Sequence, residues 1–155
     1  MKRLIGVAAA FSLVEVTLAL GIAAFCLIAV FGLVPVAVLT NRNATSQTRA
    51  TNIMTAVVAD LRATPNTKTK SALFTIIFGT CKRLYFNSEG QVVSSGTCDP
   101  STTVPATARY QVNVTWSDSG WSQLKYADVK VTWPAAAAAA NASGSTEMFA
   151  AFDRN

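Results

Sequence analysis

The sequence predicts an α+β fold in which a long N-terminal helix packs on a small antiparallel β-sheet. Three observations carry that expectation. Apolar residues are pooled rather than spread, with 30 of the 79 hydrophobic residues in the first 39 of 155 positions. An apolar stripe at three- and four-residue spacing follows at residues 53–61, the mark of an amphipathic helix. Beyond Pro65, two runs alternate apolar and polar residues with the period of two expected of a half-buried strand.

The helix comes first. Met1-Lys2-Arg3 gives a basic start, and Glu15 is then the only charge in residues 4–39. A bilayer core about 30 Å thick takes about 20 apolar residues at 1.5 Å each. Residues 16–39 supply 24 without a charge, so one membrane span is expected. The remaining 116 residues could hardly wrap a helix that is apolar all round. Gly32 and Pro35 lie inside this run. Proline removes one backbone hydrogen bond and crowds the preceding turn, so a kink or local melting is expected there. Past Thr40-Asn41-Arg42-Asn43 the helix turns amphipathic, with Ile53, Met54, Val57, Val58 and Leu61 on the stripe and Arg49, Asp60 and Arg62 read as off it. Thr64-Pro65-Asn66 ends it. A helix from about Phe11 to Ala63 would be about 80 Å long.

The remainder reads as strands. Residues 73–78 and 83–86 are short apolar runs, and Asn87-Ser88-Glu89-Gly90 is a turn leading to residues 91–94. Tyr110, Val112, Val114 and Trp116 alternate with polar residues, as do Val129, Val131 and Trp133. Asp118-Ser119-Gly120 marks a turn between them, so an antiparallel pair is expected, covered on one face by the stripe at 53–61. The aromatics, the three Trp included, then belong mostly to the core. Residues 135–140 are an alanine run too short for a stable helix and read as a surface excursion. Met148, Phe149 and Phe152 suit either a last strand or a short helix. Cys81 and Cys98 flank the 83–94 hairpin and are either a disulfide, if this part reaches an oxidising compartment, or two thiols. Cys26 reads as a small packed apolar residue of the span.

Several chemistries are excluded by what is missing. With no His, the usual general base and the commonest metal ligand are absent. No two of the eight acids are closer than six positions, and no glycine-rich phosphate loop occurs. No enzyme activity, metal or cofactor is expected. Residues 42–109 carry an excess of basic residues, but no aromatic pattern interleaves them, so nucleic acid is not an expected partner.

Glu15 remains to be explained. A carboxylate in a membrane segment costs about 2.5–3.5 kcal/mol at the centre and asks for a partner. It also interrupts the run that a cleaved secretory signal needs, and Phe25 before Cys26 does not fit a lipoprotein site. Ala10-Phe11-Ser12-Leu13-Val14-Glu15-Val16 resembles the processing site of type IV pilin-like proteins: pilins, minor pilins and type II secretion pseudopilins. The run FSLVEV followed by LALGIAAF and GLVPV is also similar to the prepilin-like cassette proteins of verrucomicrobia. The resemblance implies a pilin-like fold, cleavage between Ala10 and Phe11 by a prepilin peptidase, and N-methylation of Phe11. It also implies that Glu15 meets the free amine of a neighbouring subunit and that Gly32 and Pro35 form a flexible point. Ala10 departs from the usual Gly before the cut, and the leader is more apolar than is usual in the family.

The expected organisation is a leader at 1–10, a transmembrane and assembly half-helix at 11–39, an amphipathic half-helix at 40–64 and a β-rich head at 65–155. The expected function is a structural subunit of a type IV pilus-like or type II secretion pseudopilus-like filament. Its partners would be the prepilin peptidase, other pilin-like subunits and the inner membrane, with the head in the periplasm. The alternatives are a non-polymerising, single-pass, envelope-anchored binding protein and a DNA-binding competence-type minor pilin.

Overall fold

A computed structural model describes residues 12–99, 102–118 and 124–154. A long helix, α1 (Leu13–Ala63), is followed by β1 (Lys82–Phe86), β2 (Val92–Thr97), β3 (Tyr110–Asp118), β4 (Leu124–Trp133), a 3₁₀ turn (Ala139–Asn141) and β5 (Gly144–Asp153). The fold is α+β, one long helix with an antiparallel sheet, consistent with a pilin-like fold. The chain divides into two compact units, Met1–Arg42 and Asn43–Asn155.

In the first unit α1 is continuous. It runs through Gly32 and Pro35 without the local melting expected of the proline. Proline withholds a single donor, so the ladder resumes within the next turn.

In the second unit the C-terminal part of α1 packs on the sheet. Its buried residues are Ser46, Ala50, Ile53, Met54, Val57, Val58, Asp60 and Leu61. All of these but Ser46 and Asp60 meet the inward row of Leu84, Phe86, Tyr110, Val112, Val114, Ala127, Val129, Val131, Trp133, Ala150 and Phe152 in one core. At about 1.5–3 kcal/mol for each large apolar side chain removed from water, this contact holds the second unit together.

The sheet order is β2-β1-β3-β4-β5, every pair antiparallel. Val112 faces Val131 and Val114 faces Val129, so the two alternating runs of the sequence pair row to row. The β1–β2 turn is built by Asn87, whose side-chain oxygen accepts the Glu89 and Gln91 amides at 3.1 and 2.8 Å, while Gly90 takes φ 84°.

Four expectations are corrected. Residues 73–78 form no strand but a turn-rich loop with one bridge, Lys70 to Ile77. Their amides are spent elsewhere: Asp60 accepts Leu73 N on Oδ1 and Phe74 N on Oδ2, both at 3.0 Å. Asp60, read as off the stripe, is 5% exposed; it lies three residues after Val57 and belongs to the buried face. Ala135, read as part of a surface excursion, is buried and donates its amide to Arg109 O at 2.9 Å. Finally, the outer face of the sheet is not wholly open, because Tyr85 and Thr132 are buried there. Since β2 and β3 both run antiparallel to β1, the chain between them must travel back along β1. It crosses the outer face, where Arg83 Nη1 donates to Asp99 O at 3.1 Å and Thr102 packs on Gly96.

Candidate assembly site

In the first unit no described residue is buried. Leu13, Phe25, Ile28, Phe31 and Leu33 are each more than two-thirds exposed. An apolar surface of this extent marks a membrane or protein contact rather than a solvated helix. By length and composition α1 is able to cross a membrane.

Glu15 stands in the first turn. Ser12 O accepts the Glu15 amide at 3.0 Å and the Val16 amide at 3.2 Å, which starts the helix. A carboxylate at that place faces the unpaired N–H groups and the positive end of the helix dipole. This second reason for an acid at position 15 follows from the helix start and was not read from the sequence. The Glu15 side chain is exposed and borders a shallow groove of about 530 Å³ with Val16, Ala19, Leu20 and Ala23. The small Ala19 and Ala23 follow Glu15 at i+4 and i+8 on one face, leaving room for a neighbour.

The processing residues Ala10 and Phe11 lie outside the described residues. Gly32 and Pro35 are exposed within the helix, and a Cβ on Gly32 would meet nothing within 4 Å. Cys26, expected to be packed, is an exposed free thiol of this helix surface. In the second unit Cys81 and Cys98 form a disulfide with their Cα atoms 5.7 Å apart, tying the start of β1 to the end of β2.

The head holds a cleft of about 500 Å³ bordered by Arg49, Ile53, Phe74, Phe86 and Glu89. Arg49 donates from Nη1 to Ser88 O across this cleft. The Glu89 carboxyl is held below its usual range by the Ser88 hydroxyl, which donates to it at 2.6 Å, by a backbone N–H and, to a lesser degree, by Arg49. Arg83 is likewise engaged, with Nε donating to Asn113 Oδ1 at 3.0 Å. Two guanidinium groups of the basic stretch therefore serve the fold. Among the described residues no cluster of three metal-ligating side chains occurs.

Arg154 was passed over in the sequence. It lies 3.8 Å from the ring centroid of Phe78 and donates to Thr64 O at 3.1 Å, to Asn66 O at 3.3 Å and to Lys68 O. Those carbonyls follow the helix C-terminus, where a cation is favoured. Only its cationic character near the chain end offered a signal.

No family model matches this chain, and comparisons with curated proteins and with solved structures find no match.

Proposed function

We propose that this chain is a structural subunit of a type IV pilus-like or type II secretion pseudopilus-like filament, held in the inner membrane by α1 and processed by a prepilin peptidase. One observation carries the reading: an apolar helix surface, exposed at every position from residue 13 to 39, has one carboxylate in its first turn. The motif Phe11-Ser12-Leu13-Val14-Glu15 stands at its start. In this reading the apolar surface packs first against lipid and then against the helices of neighbouring subunits. Glu15 sets their register by meeting the free amine of a neighbour's Phe11 out of water, where an unpaired charge is costly.

Mass spectrometry of the mature N-terminus tests the reading, in cells with and without the prepilin peptidase. The expected product begins at N-methylated Phe11 and disappears without the peptidase. An intact Met1 in both cells overturns it and leaves an envelope-anchored, non-polymerising protein as the alternative. Glu15→Val is expected to be processed normally and to be lost from sheared filaments. Assembly at the wild-type level would remove the register role.

A further inference from the structure

The sheet has two edges, and they differ. The β2 edge is short, its pairing with β1 slips in register between Tyr85 and Phe86, and the chain that follows folds over its end, with Thr102 Oγ1 donating to Thr97 O at 3.5 Å. Short length, irregular register and a covering loop are the devices that keep an edge from pairing. Among the described residues β5 has none of them. Its ten residues pair with β4 without a break, from Leu124–Asp153 to Trp133–Gly144, and contain no Pro, Lys or Arg. Phe149, 74% exposed, stands near the middle of its outer face, with exposed Ala151 two residues on and Tyr126 of β4 diagonally beside it. An apolar patch beside an open edge is a pairing surface.

The charge pattern selects the partner. Turned about a two-fold axis at Phe149, the strand sets Phe149 against its own copy, Glu147 against Ala151 and Ser145 against Asp153. Each acid of β5 then faces a neutral residue, and Glu147 already has a counter-charge in Lys130 at 2.9 Å. In-register parallel pairing would instead put like charges side by side, which is destabilising. We propose that β5 is the edge through which two copies of this chain join, antiparallel, about an axis at Phe149. The contact is a narrow ribbon, and confinement of the chains to one surface would raise their effective concentration for it. The pairing surface lies wholly in the head, so this inference does not depend on how the N-terminus is processed.

Disulfide trapping of the full-length chain in membranes of the expressing cells tests it. In a Cys26→Ala background, Phe149→Cys is expected to give at least tenfold more oxidised homodimer than Val93→Cys on the β2 edge. Ala151→Glu, which faces Glu147 of the second copy, should reduce that trapping, whereas Ala151→Lys should preserve or raise it. Positions 149 and 151 are exposed, so none of these changes disturbs the core. Equal trapping at both edges, no homodimer at position 149, trapping of a different protein, or equal effects of Glu and Lys at position 151 would each overturn the proposal.

Discussion

Asp60 holds a loop that has little regular structure of its own. Its carboxylate accepts two loop amides from a position that is nearly fully buried. Asp60→Ala leaves both amides without that partner and is expected to cost about 2–4 kcal/mol. The cost should be seen as a lower urea midpoint with an unchanged slope. Asn offers one oxygen but turns an amide N–H toward the second donor, so Asp60→Asn should recover at most half. Asp60, read as off the stripe, stands three residues after Val57 and four before Thr64 on the buried face, and the loop amides that it binds explain an acid there. Asp128 gives a different signature. Burial and then the neighbouring Glu147 carboxylate raise its pKa, with Lys130 opposing. A carboxyl that keeps its proton to higher pH when folded contributes most at low pH, and that contribution is lost as pH rises from about 4 through the raised value. Asp128→Asn should therefore gain stability relative to the wild-type chain between pH 4 and 7. Urea midpoints of the two proteins at both pH values check this, and a constant difference would contradict it.

Elements depend on such details where they meet. β5 starts with Gly144 against Trp133, where a Cβ would come within 2.3 Å of Cζ2 of the indole. That ring is buried, so Gly144→Ala must move ring or strand and is expected to cost about 1–3 kcal/mol in urea unfolding. The β1–β2 hairpin is fastened by Cys81 and Cys98, 17 positions apart. Replacing both by Ser should cost about 3 kcal/mol on a loop-entropy account, measured as the difference in unfolding free energy under non-reducing conditions. The sequence was readable wherever the polar and apolar rows of a strand were both present, as in β3 and β4. It left β5 open because Met148, Phe149 and Phe152 fit either period, and pairing with β4 decides between them. It failed at residues 73–78 because apolar content resembles a strand even when the backbone donors go to a side chain.

The whole molecule joins two units with opposite needs. Among the described residues every buried one lies at or beyond position 46, and none lies in the apolar half of α1. A fragment beginning at Asn43 is therefore expected to stay soluble and to unfold cooperatively in urea, read by circular dichroism. A non-cooperative or aggregated fragment would mean that the head needs the apolar half. That division was visible in the sequence as a change in composition, and Glu15 as an isolated charge, because both are properties of consecutive residues. The role of Arg154 was not visible, because its partners lie 76 to 90 positions earlier. That separation bears on biosynthesis. The apolar half of α1 leaves the ribosome before the head and is available to a membrane while the head is still being made. Arg154 leaves after every strand of the sheet. Its seat on Phe78 and the carbonyls after α1 is filled only once all five strands have been made, so the head closes well after the helix has left the ribosome.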